Sequence, residues 1–317
     1  STMKLIILSL ALALCVTAFE VSISTKDATT VGYAITNPSD APVQVLKWGT
    51  PFEGIRSDMF LVKSKSGDVA MYTGAIYRRG PYPLPEEFLV VPEHSTINIE
   101  VDLSLSYQLG KVGEYTVDLQ IPSYAQVVPS EVTRSKTTIR VTEVKPPKPS
   151  VDILRDYQNC NSNQQTQVRS AVNQGKQEAA RGYNCLRSGT CNSQATTWLG
   201  VNSGSRWNNV RDMCNRIDGS LNANSFNCYC MPAGCGSNVY AYVYPSDSSR
   251  RVYLCNLFFT LPNERAETIV HEMSHFNSIG GTNDYVYGRS ACQNLARTNP
   301  TNAVRNADNI CYFTDAV

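Results

Sequence analysis

The sequence predicts two domains of different class: an N-terminal all-β sandwich or barrel, then a C-terminal α+β domain, mainly helical with a small sheet. Three observations carry this. Short segments with period-2 patterning fill residues 20–143, helical patterning takes over beyond residue 160, and a stiff Pro-rich stretch at 146–150 separates the two. The cysteines divide the chain at the same place, because ten of the 11 fall between Cys160 and Cys311. Length agrees, since 317 residues amount to about two domains of roughly 150 residues each.

In chain order, Met3 and Lys4 precede an apolar run over 5–14 and then Val16-Thr17-Ala18, which reads as a secretory signal peptide over 1–18. No other run approaches the roughly 20 apolar residues of a membrane helix. A secreted protein without a membrane anchor is expected. Residues 21–25, 43–48, 59–63, 69–72, 96–102, 115–121 and 137–142 alternate as strands, with Gly, Pro, Asn and Asp between them. This β-rich domain spans 19–145 and the linker 146–156. Beyond it, 164–186 and 207–221 read as helices, 226–259 as a small sheet built on 239–244 and 251–255, and 264–278, 289–297 and 302–313 as helices again.

Charge excludes some partners. The whole chain carries 28 basic and 27 acidic residues, too balanced for a nucleic-acid binder, so no nucleic-acid partner is expected. The balance hides a split: residues 20–145 hold 12 basic and 15 acidic side chains, residues 146–317 hold 15 and 12. Opposite signs favour docking of the halves.

Histidine is scarce, and its placement carries the chemistry. Of His94, His271 and His275, two lie in His271-Glu272-Met273-Ser274-His275, within the helical run 264–278. Positions i and i+4 share a helix face, so both imidazoles can bind one Zn²⁺ while Glu272 addresses a water there. A catalytic zinc takes three protein ligands. No His follows His275 and no Glu follows Glu272, so the downstream candidates are Asp284, Asp308 and Asp315, with the thiols of Cys292 and Cys311 behind them. Asp284 is preferred, since Gly280-Gly281 can turn the chain back to the metal.

His271–His275 followed by Gly281-Thr-Asn-Asp-Tyr-Val-Tyr-Gly288, together with Cys228-Tyr-Cys230, 240–245, 252–255 and 306–309, resembles the deuterolysin or aspzincin family of zinc endopeptidases, nearest its peptidyl-Lys branch. The likeness covers most of 157–313 and implies a zincin-type metalloprotease domain over 157–317. It implies His271, His275 and Asp284 as zinc ligands, Glu272 as general base and Tyr287 as a donor to the developing oxyanion. Asp308 is implied in the pocket for the residue after the cut, and Tyr240 and Thr282 in substrate binding. The aromatic strand 240–244 reads as a cleft edge on which substrate lies as an added strand. Where the Lys-specific branch has a second carboxylate three residues past Asp308, this chain has Cys311. Residues 151–317 nevertheless contain one lysine, Lys176, against 13 arginines, which favours Lys over Arg as the residue after the cut.

The segment 45–51 resembles the propeptide of these proteases, so the β-domain is expected to be an intramolecular inhibitor. Lys47 is the candidate for the Asp308 pocket, and self-cleavage before Lys145 or Lys148 the expected route of maturation. An even set of cysteines in an exported chain reads as disulfides. The resemblance pairs Cys160 with Cys228 and Cys230 with Cys255, and Cys185–Cys191, Cys214–Cys235 and Cys292–Cys311 complete the set. A monomer acting on proteins and peptides is expected. The competing reading is a secreted, catalytically silent binding or adhesion protein that works through its β-domain.

Overall fold

A computed structural model describes residues 19–120, 135–144, 156–203 and 205–317. The predicted signal peptide, Lys145, Lys148 and all of the predicted linker but Asp156 lie outside the described residues.

The N-terminal half contains β1 (Glu20–Thr25), β2 (Thr30–Asn37), β3 (Val43–Leu46), β4 (Phe60–Ser64), β5 (Met71–Tyr72), β6 (Ile76–Arg79), β7 (Phe88–Val91), β8 (Ser95–Asp102), β9 (Tyr107–Gln108), β10 (Gly113–Leu119) and β11 (Lys136–Val141). Its strands pair antiparallel in sheets ordered β1-β2-β8, β11-β10-β4, β3-β7 and β5-β9. Alternation does the expected work: Tyr115, Val117 and Leu119 of β10 point inward between Thr116 and Asp118. They join Val31, Ile35, Val62 and Val91 in one apolar core. Among the described residues β2, β6, β7 and β9 are strands that the pattern did not reveal. In β6 the sequence Ile-Tyr-Arg-Arg has no alternation, and all four residues are buried. They are buried because β6 leaves its own domain and pairs with a strand of the other half.

The C-terminal half runs α1 (Ser162–Ser188), α2 (Asn192–Leu199), α3 (Arg206–Ser220), β12 (Cys228–Cys230), β13 (Val239–Val243), β14 (Val252–Leu254), α4 (Asn256–Thr260), α5 (Arg265–His275), α6 (Arg289–Thr298), α7 (Pro300–Ala303) and α8 (Ala307–Asp315). Asn161 and Gln164 form a reciprocal cap at the start of α1, and Gly189 ends it in a left-handed conformation at φ 71°. Gly175 on α1 lets that helix close on α5, since an added Cβ would sit 3.3 Å from the carbonyl oxygen of Ala266. The predicted helix over 302–313 is in fact two, α7 and α8, with Asn306 extended between them. The helix with the two histidines ends at His275, short of the predicted 278, because Phe276 turns to ψ 132°.

Cysteine pairing differs from the expectation. The bonds are Cys160–Cys230, Cys185–Cys191 and Cys235–Cys255, while Cys214, Cys228, Cys292 and Cys311 are buried thiols. Strand register explains the correction. Gln158 pairs in parallel with Tyr229, which carries Cys160 past Cys228 to Cys230. Cys230 is level with Leu254 on β14, so the next residue, Cys255, faces the opposite side of the sheet, where it meets Cys235 rather than Cys230. That leaves Cys214 without its expected partner, packed under Gly182 of α1. Cys311 turns its thiol to the carbonyl of Asp308, and Cys292 lies beside the Asn306 amide.

The reversal after α5 is tight. A Cβ on Gly280 would stand 2.6 Å from the Ser274 carbonyl oxygen and 2.7 Å from the Met213 sulfur. Gly280→Ala is therefore expected to destabilise the protein by about 1–3 kcal/mol, read as a lower denaturant midpoint. An unchanged midpoint would overturn this account of the turn.

Candidate metal centre

Helix α5 is buried on every side, from Ala266 to His275. Its polar side chains therefore need partners from other elements. His271 Nδ1 lies 2.8 Å from Asp308 Oδ1 on α8, and His275 Nδ1 lies 3.0 Å from the backbone oxygen of Thr282. Each Nδ1 faces an acceptor and so carries the proton, which leaves each Nε2 as a bare lone pair. The two Nε2 atoms face each other at 3.0 Å. Asp284 closes the group, with Oδ1 3.4 Å from His271 Nε2 and Oδ2 3.6 Å from His275 Nε2.

Two converging lone pairs beside a carboxylate repel one another unless a cation lies among them. The donor set of two imidazoles and one carboxylate suits zinc, and all three ligand atoms lie within 4.8 Å of one another. Further support comes from unmet hydrogen-bonding capacity: Asp284 Oδ1 and both oxygens of Glu272 are buried with no hydrogen-bond partner. Burial pushes the Glu272 carboxyl up to about 8, with His275 opposing and Asp284 reinforcing the shift. Burial would also raise Asp284, but His275 and His271 outweigh it and hold that carboxyl well below the usual range. His271 moves up: burial opposes its charging, and Asp284 and Asp308 overcome that opposition.

Of the downstream candidates, Asp284 alone joins the two Nε2 atoms. Asp315 pairs with Arg289 at 3.1 Å, and Cys292 lies by Asn306. Asp308 has a role that spacing did not reveal, because it orients His271 from behind while its Oδ2 accepts from the Gly288 amide at 2.8 Å. Thr282 departs from expectation as well. Its hydroxyl is buried 2.6 Å from Ser274 Oγ and its carbonyl positions His275, so it braces the centre and does not line a cleft.

β13, the strand expected to edge a cleft, is paired along its free side with β6 in antiparallel register, Tyr77 opposite Tyr242 and Arg78 opposite Ala241. Tyr77 and Tyr242 stack with centroids 4.7 Å apart. The Tyr287 hydroxyl donates to the Tyr77 carbonyl oxygen at 2.8 Å and lies 3.1 Å from Asp284 Oδ2. Arg78, 2% exposed, extends into the space bounded by Asp308, Glu267, Glu264 and the face of Tyr240. The expectation for Lys47 is overturned. Its amine donates to the Glu86 carbonyl at 2.8 Å in an exposed position. Its neighbour Trp48 is the residue that reaches the centre, edge-on to Tyr287 at 5.7 Å and over which the Arg79 guanidinium lies. Residues 45–51 thus lie beside the centre, but nothing in the pattern of Ile76–Arg79 marked it as the strand that pairs with β13.

A family profile described as lysine-specific metallo-endopeptidase, the aspzincin profile, matches residues 186–315. The peptidyl-Lys metalloendopeptidase of Pleurotus ostreatus is 38% identical over 49% of this chain and 94% of its own length. An extracellular protease of Aeromonas hydrophila is 27% identical over 96% of this chain and 94% of its own length. A solved zinc peptidase from Grifola frondosa matches at 36% identity over 49% of this chain and 96% of that chain, with a TM-score of 0.44. The protein is a metalloendopeptidase, not a catalytically silent binding protein. It belongs to the aspzincin family.

Losing the partner behind a ligating imidazole typically weakens a metal about 10–100-fold. Asp308→Ala should do so here in a chelator-competition titration, and Asp315→Ala should leave affinity unchanged. Equal behaviour of the two variants would remove Asp308 from the centre.

Proposed function

We propose that the chain is a secreted zinc endopeptidase, made as a latent precursor, that cuts peptide bonds ahead of a basic residue. The observation that carries this is the seating of β6. An extended segment lies on β13 as an added strand, its Tyr77 carbonyl held by Tyr287 and its Arg78 side chain in a carboxylate-lined pocket, beside His271, His275, Asp284 and Glu272. That is how a peptide substrate would lie.

When held by His271, His275 and Asp284, zinc supplies Lewis acidity and makes a water acidic enough to lose a proton near neutral pH. Glu272 accepts that proton on a carboxylate that no hydrogen bond restrains, and passes it to the leaving amine. Tyr287 donates to the carbonyl oxygen as charge develops on it. Asp308 and the Thr282 carbonyl keep the two imidazoles in the tautomer that presents Nε2 to the metal. A buried carboxylate beside the pocket selects the basic side chain. Lys at that position is the preference named for the aspzincin profile and for the Pleurotus relative.

Residues 19–145 form the inhibitory propeptide, 146–156 the activation segment and 157–317 the protease domain. The Pleurotus relative, which is matched along 94% of its length by 49% of this chain, supports that division. Secretion is supported by the signal-like start and by the extracellular Aeromonas relative. No helix among the described residues is long and apolar enough to cross a membrane.

Chelation should abolish cleavage of a peptide library, and added zinc should restore it; persistent cleavage would refute the metal's role. Tyr287→Phe should lower kcat by about 10²–10³ with little change in KM. Purified alone, Glu272→Ala should remain uncut in the segment 145–156, and maturation of that variant on its own would refute self-processing. In the uncut chain, Arg78→Ala should raise peptidase activity and Lys47→Ala should not. The reverse result would return the inhibitory role to Lys47.

A further inference from the structure

The pocket that receives Arg78 holds more acceptors than a lysine amine can use, and they are spread out. Arg78 Nη1 is 3.1 Å from the Glu264 carbonyl oxygen and also donates to Thr268 Oγ1. Nη2 lies 3.3 Å from Glu267 Oε2 and 3.4 Å from Glu264 Oε2. Nε lies 3.5 Å from Asp308 Oδ1, and the guanidinium carbon is 4.9 Å from the centre of the Tyr240 ring. Three nitrogens thus face three separate directions. An arginine presents five N–H donors in a rigid planar fork, whereas a lysine presents three from a single point.

The wall also explains how the pocket works with Cys311 where a second carboxylate stands in the Lys-specific branch. Glu267, 3% exposed, projects from α5 one helical turn before His271, while Asp308 approaches from α8. Glu267 thus supplies a second carboxylate on another wall of the pocket, the side that meets the far end of the guanidinium. Thr268 and the Glu264 carbonyl belong to the same turn, so the start of α5 addresses both terminal nitrogens.

We propose that this is an arginine pocket, in which Glu267 together with Asp308 selects the guanidinium of the residue after the cut, so that peptides with Arg there are substrates alongside those with Lys. The step is hydrolysis: the X–Arg peptide bond breaks, water supplies OH to the new carboxyl and H to the new α-amine, and no other reactant is consumed. The proposal rests on the reading of the site as an endopeptidase. The abundance of arginine in the protease half is compatible with it. Nine of those arginines, such as Arg169, Arg181 and Arg187 on α1 and Arg211 and Arg216 on α3, lie on helices, and a helical backbone cannot pair with β13 as an added strand.

The experiment uses the full chain activated by a cut in the segment 145–156, with two peptides that differ only by Arg or Lys after the scissile bond. The expected kcat/KM for Arg is within tenfold of that for Lys, or above it, and Glu267→Gln is expected to lower the Arg value at least 30-fold and the Arg/Lys ratio at least tenfold. Lys cleaved more than tenfold better than Arg by the unsubstituted enzyme would overturn the proposal, as would an unchanged ratio in Glu267→Gln. Should that variant not fold, competition on the unsubstituted enzyme decides: agmatine should inhibit at lower concentration than 1,5-diaminopentane, and the opposite order would overturn the assignment. If neither peptide is cut in a chelator-sensitive way, it is the endopeptidase reading that fails.

Discussion

Everything at the centre follows from two imidazoles forced together on a fully buried helix. The i, i+4 spacing puts His271 and His275 on one face of α5, and their Nδ1 atoms are committed to Asp308 and to the Thr282 carbonyl. What remains is a pair of lone pairs 3.0 Å apart with a carboxylate beside them. Unless a proton is shared between them that contact is repulsive, and a cation bound by both Nε2 atoms and Asp284 relieves it while both Nδ1 bonds stay in place. The fold therefore stores an electrostatic conflict that a divalent cation resolves, and the structures around it, including the turn at Gly280-Gly281 and the start of α8, serve to hold the donors in place.

Asp308 links this centre to the pocket. One of its oxygens faces both the His271 Nδ1 and the Arg78 Nε, and the other is fixed by the Gly288 amide with the Tyr312 hydroxyl 3.2 Å away. Burial would raise its pKa, yet His271 and Arg78 hold it below the usual carboxylate range. It stays charged. Arg78 in the pocket therefore touches the group that orients His271, so the pocket and the centre share one carboxylate.

Much of this was legible in the sequence because it is local. The period-2 strands, the helical run carrying His271-Glu272-x-x-His275 and the glycine pair before Asp284 each depend on neighbours within a few residues. The failures share a different cause. Ile76–Arg79 is a strand only because β13, some 160 positions later, offers it an edge, and Arg78 and Arg79 are buried only because Glu267, Asp308 and Glu53 meet them. Lys47 looked suitable on chemistry alone, yet it is Trp48 that faces Tyr287. Cysteine pairing failed at the level of register, where a shift of two residues along β12 changes the partner of Cys160. Glu267 gave no signal because its meaning depends on which way one turn of α5 faces.

If β6 is the propeptide strand proposed above, the pocket must also survive its departure. When Arg78 leaves, three acidic groups at one site would repel one another and take up protons, and burial already pushes the Glu267 carboxyl upward against the pull of Arg78. The remaining contacts oppose this. Arg289 keeps its hold on Glu267, with Asp315 beyond it, and Asp308 keeps His271, Gly288 and Tyr312. Glu264 is about one-third exposed at its side chain and can turn toward water. The vacated pocket thus retains one anchored carboxylate on α5 and another on α8, each with its own partner, while the place between them is left for a cation. On the proposed reading, that arrangement would let β6 leave and a substrate strand take its place without rebuilding the site.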